Sequence, residues 1–192
     1  MQSLTRAVIG LAVVLVLPTS VIGQERAAGD KLVFVVRHAE KASATDPDPS
    51  LSETGKTRAV SLAAVLRDAA VTDVLVTPRK RTVETAAVVT DARQLTAHVV
   101  PFGASTAAHV AAVADAVRKA KGNAVLVVGH SNTVNLIVTA LGGPRLAELC
   151  DAQYDGLYIV HLPAHGAPSL VRAHFGAPDP PDAANCAAGA MR

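Results

Sequence analysis

Three stretches of this chain drive an apolar run straight into ionisable side chains. Leu32–Val36 ends in Arg37-His38-Ala39-Glu40, Asp73–Val76 in Thr77-Pro78-Arg79-Lys80-Arg81, and Ala124–Val128 in Gly129-His130-Ser131-Asn132. Short Val-rich runs of this kind read as buried strands. A buried strand that ends in charge has reached the edge of a fold, and in open α/β sheets ligands lie beyond the carboxyl ends of the strands. In the middle stretch Thr77 suits a helix N-cap and Pro78 a first helical residue. Arg79, Lys80 and Arg81 then fall in the first turn, where cations oppose the helix dipole. Three solvated surface cations are one explanation; an anion shared by the dipole and an arginine is the other. Ser131, Asn132 and Thr133 offer cap oxygens and free N–H groups at a second helix start. Two histidines and two arginines on three converging strand ends fit a phosphate. The arginines would take its oxygens, one histidine would act as nucleophile and the other as hydrogen-bond donor.

Other chemistries lack their parts. His38-Ala39-Glu40 has the start of a zinc deaminase signature, but no C-x-x-C follows. There is no H-E-x-x-H, no Gly-rich P-loop after a strand, and no G-x-S-x-G. Glu40 is the only carboxylate adjacent to these histidines, so no metal site is expected. Net charge is +2 with 18% charged residues, which gives no bulk-charge basis for a nucleic-acid partner.

The elements that must position these residues alternate. Strands are expected at Leu32–Val36, Asp73–Val76, His98–Val100, Ala124–Val128, Gly156–His161 and Ser169–Ala173. Helices are expected at Glu53–Ala70, Pro78–Val89, Ala107–Lys121 and Asn132–Leu141, the last stopped by Gly142-Gly143-Pro144. Alternation of this kind predicts a three-layer α/β/α sandwich with a mostly parallel central sheet. The last two strands, close in sequence, add an antiparallel portion. With 50% hydrophobic residues but only 3% aromatic, the core must be built from Ala, Val and Leu.

The termini read differently. Residues 1–23 carry Arg6, an apolar run from Ala7 to Leu17, and small residues before Gln24, the pattern of a signal peptide. The run is shorter than the ~20 residues a membrane span needs, so no stable span is expected after cleavage. Residues 24–30 are a linker, 31–175 the domain, and 176–192 a Pro- and Ala-rich tail expected to be disordered. Export to a periplasm or out of the cell would permit a disulfide between Cys150 and Cys186; two free thiols are the alternative.

The charged stretches resemble, in order, the motifs of the histidine phosphatase superfamily, the group that includes phosphoglycerate mutase. Arg37-His38 stands where the family has Arg-His, with Ala39 in place of the usual Gly. LSETGKTRAVSLAAVL (51–66) resembles its L-[ST]-x-x-G-x-x-Q-A-x-x-L-A helix, with Arg58 where Gln is usual. VTPRKRTVETAAVV (76–89) resembles S-P-x-x-R-[AT]-x-[EQ]-T-A and marks Arg81, and VLVVGHSNTV (125–134) marks His130. The resemblance implies a metal- and cofactor-independent phosphatase in which His38 becomes phosphohistidine while Arg37, Arg81 and His130 hold the phosphoryl oxygens. One part is missing. Ser131 follows the second histidine where one branch has its acid, and PFGASTAAH (101–109), where the other branch has it, contains no carboxylate. Glu40, Asp46, Asp48 and His109 are the substitutes on offer, with Glu40 and His109 foremost as proton donors. That pattern resembles the small single-domain members that act on phosphohistidine. Short inserts after His38 and Arg81 leave no room for a large cap domain, so an open site is expected. The substrates implied are a phosphorylated small molecule, an envelope sugar phosphate or phosphohistidine. A phosphate-binding protein of the same fold with little or no turnover is the alternative.

Overall fold

The computed structural model describes residues 29–181. The expected signal peptide, most of the linker, the end of the tail and Cys186 lie outside the described residues. Ten elements follow one another: β1 (Lys31–Arg37), α1 (Glu53–Val65), β2 (Asp73–Val76), α2 (Lys80–Arg93), β3 (His98–Val99), α3 (Thr106–Lys119), β4 (Ala124–Gly129), α4 (Val134–Ala140), β5 (Gly156–Leu162) and β6 (Ser169–His174). They form one six-stranded sheet in the order β3-β2-β4-β1-β5-β6. The β3, β2, β4 and β1 strands are mutually parallel, while β5 and β6 are antiparallel additions. The sheet therefore matches the expected, mostly parallel sandwich, and no large cap domain stands over it among the described residues.

Alternation along β1 builds the two faces. Val33 and Val35 pack with Val110, Val113 and Val117 of α3 and Ile137 and Val138 of α4. Phe34 and Val36 pack with Leu62 of α1, Ala86 and Val89 of α2, and Phe175 beyond β6. Both faces of the sheet are thus covered, as the near-continuous hydrophobic reading of β1 and β4 requires.

Several boundaries differ from the sequence reading, and three of them have a plain local reason. The first helix ends at Val65, short of Ala70; Arg93 from the end of α2 donates to the carbonyls of Leu66 and Arg67 (both 2.8 Å), satisfying groups that a longer helix would have used. The second helix starts at Lys80, not Pro78. Its N-cap is Arg79, in extended conformation, and Thr77 is drawn into a different set of bonds described below. The fourth helix starts at Val134, because His130–Thr133 close a turn of their own: the Thr133 N–H donates to the His130 carbonyl (3.0 Å). Beyond β6, Ala177 and Asp179 are bonded to the domain, so its contacts run past residue 175.

Candidate active site

Strand order places β4 between β2 and β1, so the three charged strand ends are neighbours. The His38 N–H donates to the Gly129 carbonyl at 2.9 Å, joining the ends of β1 and β4. The rings of His38 and His130 lie 5.3 Å apart, edge to face, with only 3% and 8% of the two residues exposed.

His38 is held in one tautomer. Its Nδ1 lies 2.8 Å from the Ala39 carbonyl, an acceptor only, so Nδ1 carries the proton and Nε2 keeps its lone pair. Ala39 is fixed in turn: its N–H donates to Thr85 Oγ1 (2.9 Å), and the Thr85 hydroxyl donates to the Arg81 carbonyl (2.6 Å). Thus α2 positions both the first histidine and the arginine that faces it.

Arg37 is oriented from behind. Its Nη1 donates to the carbonyls of Cys150, Asp151 and Gln153 (2.8, 3.0 and 2.9 Å), and its Nη2 donates to Asp151 Oδ1 (3.2 Å). Tyr154 closes the cradle, its ring centroid 4.0 Å from the guanidinium carbon and 6.2 Å from the His38 ring. The Nε–H of Arg37 is left buried without a partner among the described residues, and so is that of Arg81. A buried N–H with no acceptor is costly and calls for an explanation. Two such donors, both from arginines beside the paired histidines, make this a candidate anion site.

His130 is held from both sides. Arg81 Nη2 approaches Nδ1 at 3.4 Å, and Nε2 meets Thr77 Oγ1 at 3.1 Å. Since an arginine can only donate, Nδ1 accepts and the Nε2–H donates to Thr77. This is why Thr77 does not cap α2. The negative group near that helix start is Asp48 instead, whose Oδ1 accepts the Lys80 N–H (3.1 Å) and stands 3.8 Å from Arg81 Nη1.

Burial is the largest influence on both histidines. It pushes His38 down to about 2, with the charges of Arg37, His130 and Arg81 adding to it. It pushes His130 down to about 3, with Arg81, His109 and Arg37 adding to it. Burial also lowers Arg37 and Arg81 from their ordinary values. At neutral pH the site holds two neutral imidazoles and two cations, an arrangement able to offer an imidazole lone pair beside positive charge.

The four residues Arg37, His38, Arg81 and His130 are brought together; the two foremost proton-donor candidates are placed elsewhere. Both oxygens of Glu40 accept from Arg58 (2.8–3.0 Å). His109 is 2% exposed, beneath Phe102, with Nδ1 3.1 Å from the Pro101 carbonyl. Asp46 caps a surface turn, its Oδ1 accepting the Asp48 N–H. Sequence reasoning missed the 150–154 segment, which has no regular structure and no periodicity to betray it, and the roles of Thr77 and Thr85. Cys150 is buried; Cys186, its expected partner, lies outside the described residues.

Residues 33–102 match the family model described as histidine phosphatase superfamily (branch 1). That span holds Arg37, His38 and Arg81; His130 joins them through the fold. No curated protein matches the chain in sequence. Solved structures share its fold. A protein histidine phosphatase SixA complexed with tungstate aligns at TM-score 0.58 and 21% identity, over 74% of this chain and 96% of that one. A mycobacterial glucosyl-3-phosphoglycerate phosphatase aligns at 0.58 and 15%, over 78% and 100%. Phosphoglycerate mutase from Bacillus anthracis aligns at 0.59 and 14%, over 77% and 94%.

Proposed function

We propose that this chain, which has the histidine phosphatase fold and matches that superfamily's model over residues 33–102, is a phosphatase that passes a phosphoryl group to His38 and then to water. The observation that carries the reading is the pair of buried, unpartnered arginine Nε–H groups beside a histidine fixed with its Nε2 lone pair free. The tungstate complex of a protein with this fold supports it, because tungstate is a tetrahedral oxyanion like phosphate.

His38 Nε2 attacks phosphorus in line; the N–P bond forms as the bond to the leaving atom breaks. The Nδ1–H stays on the Ala39 carbonyl and stabilises the charge gained by the ring. Arg37 and Arg81 place N–H groups on the phosphoryl oxygens, where charge redistributes in a loose transition state. His130, neutral when the site is empty, takes up a proton beside the dianion and donates it in a hydrogen bond from Nδ1, while Thr77 keeps its Nε2–H. Water then attacks the phosphohistidine, the P–N bond breaks, and phosphate leaves.

The substrate class is a phosphomonoester or a phosphoramidate such as phosphohistidine; relatives by fold act on phosphohistidine and on a phosphorylated glycerate. The leader-like residues 1–23 support a site of action outside the cytoplasm. The test is rapid quenching during hydrolysis of an aryl phosphate. We expect an acid-labile, base-stable phosphoenzyme that disappears in His38→Ala. Turnover that survives this substitution would overturn the mechanism. Stabilisation by phosphate with no hydrolysis of any activated ester would favour a binding protein.

A further inference from the structure

The arginine that the phosphate site does not use stands at its rim. Arg79, the N-cap residue of α2, is half-buried, with its guanidinium carbon 5.5 Å from the centre of the Phe102 ring. Phe102 is 45% exposed, whereas the chain's other two phenylalanines, Phe34 and Phe175, are 5% and 3% exposed. Its ring lies 5.9 Å from that of His130. An exposed aromatic ring therefore lies against both a cation and the His130 ring. Stacking of this kind fixes an arginine without using its N–H groups.

The charge balance at the rim is uneven. Arg37 has Asp151, Arg81 has Asp48 and Arg58 has Glu40. The Arg79 guanidinium has no carboxylate and no hydrogen-bond acceptor among the described residues. Among the described residues Arg79 is thus the guanidinium at the rim that no carboxylate offsets, and its field already depresses both Arg81 and His130. Asp48 offsets one of the three cations at this helix start; those left over are unfavourable for an empty protein and favourable for a ligand with more than one anionic group.

We infer that Arg79, held by Phe102, is a second anion site, and that the preferred substrate carries a carboxylate or a second phosphoryl group close to the one transferred. This rests on the reading of the pocket as a phosphate site, but its test does not require turnover. Binding of methylphosphonate, phosphonoacetate and methylenebisphosphonate to the full chain is measured by calorimetry; the last two add a carboxylate or a second phosphonate to the same carbon. One charge-assisted contact should make the better of these bind about tenfold tighter than methylphosphonate, and which arm is better identifies the group. The ratio should fall towards one in Arg79→Ala and in Arg79→Gln, persist in part in Arg79→Lys, and hold in Lys80→Ala. A ratio near one in the unmodified protein would overturn the inference. So would an equal loss in Lys80→Ala, which would make it a bulk-charge effect. Selective binding without hydrolysis of any ester would leave the second site standing and remove the phosphatase reading alone.

Discussion

At the scale of single residues, the two buried imidazoles link stability to pH. Folding holds His38 down to about 2 and His130 to about 3, in both cases chiefly through burial, while in the unfolded chain each titrates near its ordinary 6.5. Between those limits the unfolded state binds protons that the folded state refuses, so stability is complete above the unfolded value and lost as pH falls. The slope is at most about 1.4 kcal/mol per pH unit for each histidine. Urea unfolding at pH 5.5 should therefore show less stability than at pH 7, and His130→Gln should flatten the dependence; an unchanged slope in that variant would refute the assignment. The missing acid has its own signature. On the proposed mechanism, with both oxygens of Glu40 on Arg58 and His109 beneath Phe102, the leaving group is expected to depart unassisted by either, forgoing roughly 10²–10⁴-fold. We expect kcat/KM to fall steeply from nitrophenyl to alkyl phosphates. A flat series would reveal a donor, and Asp48 beside Arg81 would be the first residue to replace.

At the scale of elements, the loop after β1 is held by α1 and by the segment after β6. Arg58, 5% exposed, donates from Nε and Nη2 to Glu40 and from Nη1 to the carbonyls of Phe175 (3.0 Å) and Ala177 (2.9 Å). Gly55 permits the approach, since a side chain there would run into the Glu40 carbonyl. Removing one member of a buried pair strands the other, so Arg58→Ala should cost about 3–5 kcal/mol, with a smaller further loss when Glu40→Gln is added. Additive losses in that double-mutant cycle would show that the pair is not coupled. The strands and the existence of each helix were legible in the sequence because apolar periodicity reports burial directly. Helix ends were less so. Whether Thr77 caps α2 or holds His130 is decided by β4, 53 residues away, and the truncation of α1 by Arg93, 26 residues on from Arg67. In the same way Arg37, His38, Arg81 and His130 could be read from strand ends, but the carbonyl cradle behind Arg37 could not, because backbone acceptors are the same in every residue.

At the scale of the whole molecule, the segment after β6 closes a circuit back to the site. Asp179 accepts the N–H groups of Tyr154 (2.9 Å) and Asp155 (3.1 Å), and Tyr154 lies against Arg37. A chain carrying Asp179→Ala loses both bonds. It should lose about 1–3 kcal/mol of stability, the ordinary cost of leaving buried groups unpaired, and it should bind vanadate more weakly as Arg37 loosens. Urea unfolding and vanadate titration of the two chains would check this; identical affinity would show that the cradle stands without its brace.

Arg37 itself carries a consequence for descent. Among the described residues the protein occupies two of its three nitrogens and leaves Nε without a partner. A lysine would keep the charge, but its single head group could not satisfy three carbonyls and an anion at once. Residue 37 and the segment 113 residues further on should therefore change together. Among homologues, chains that have lost the arginine should also have rebuilt the segment corresponding to 150–154, and chains that kept one should have kept the other.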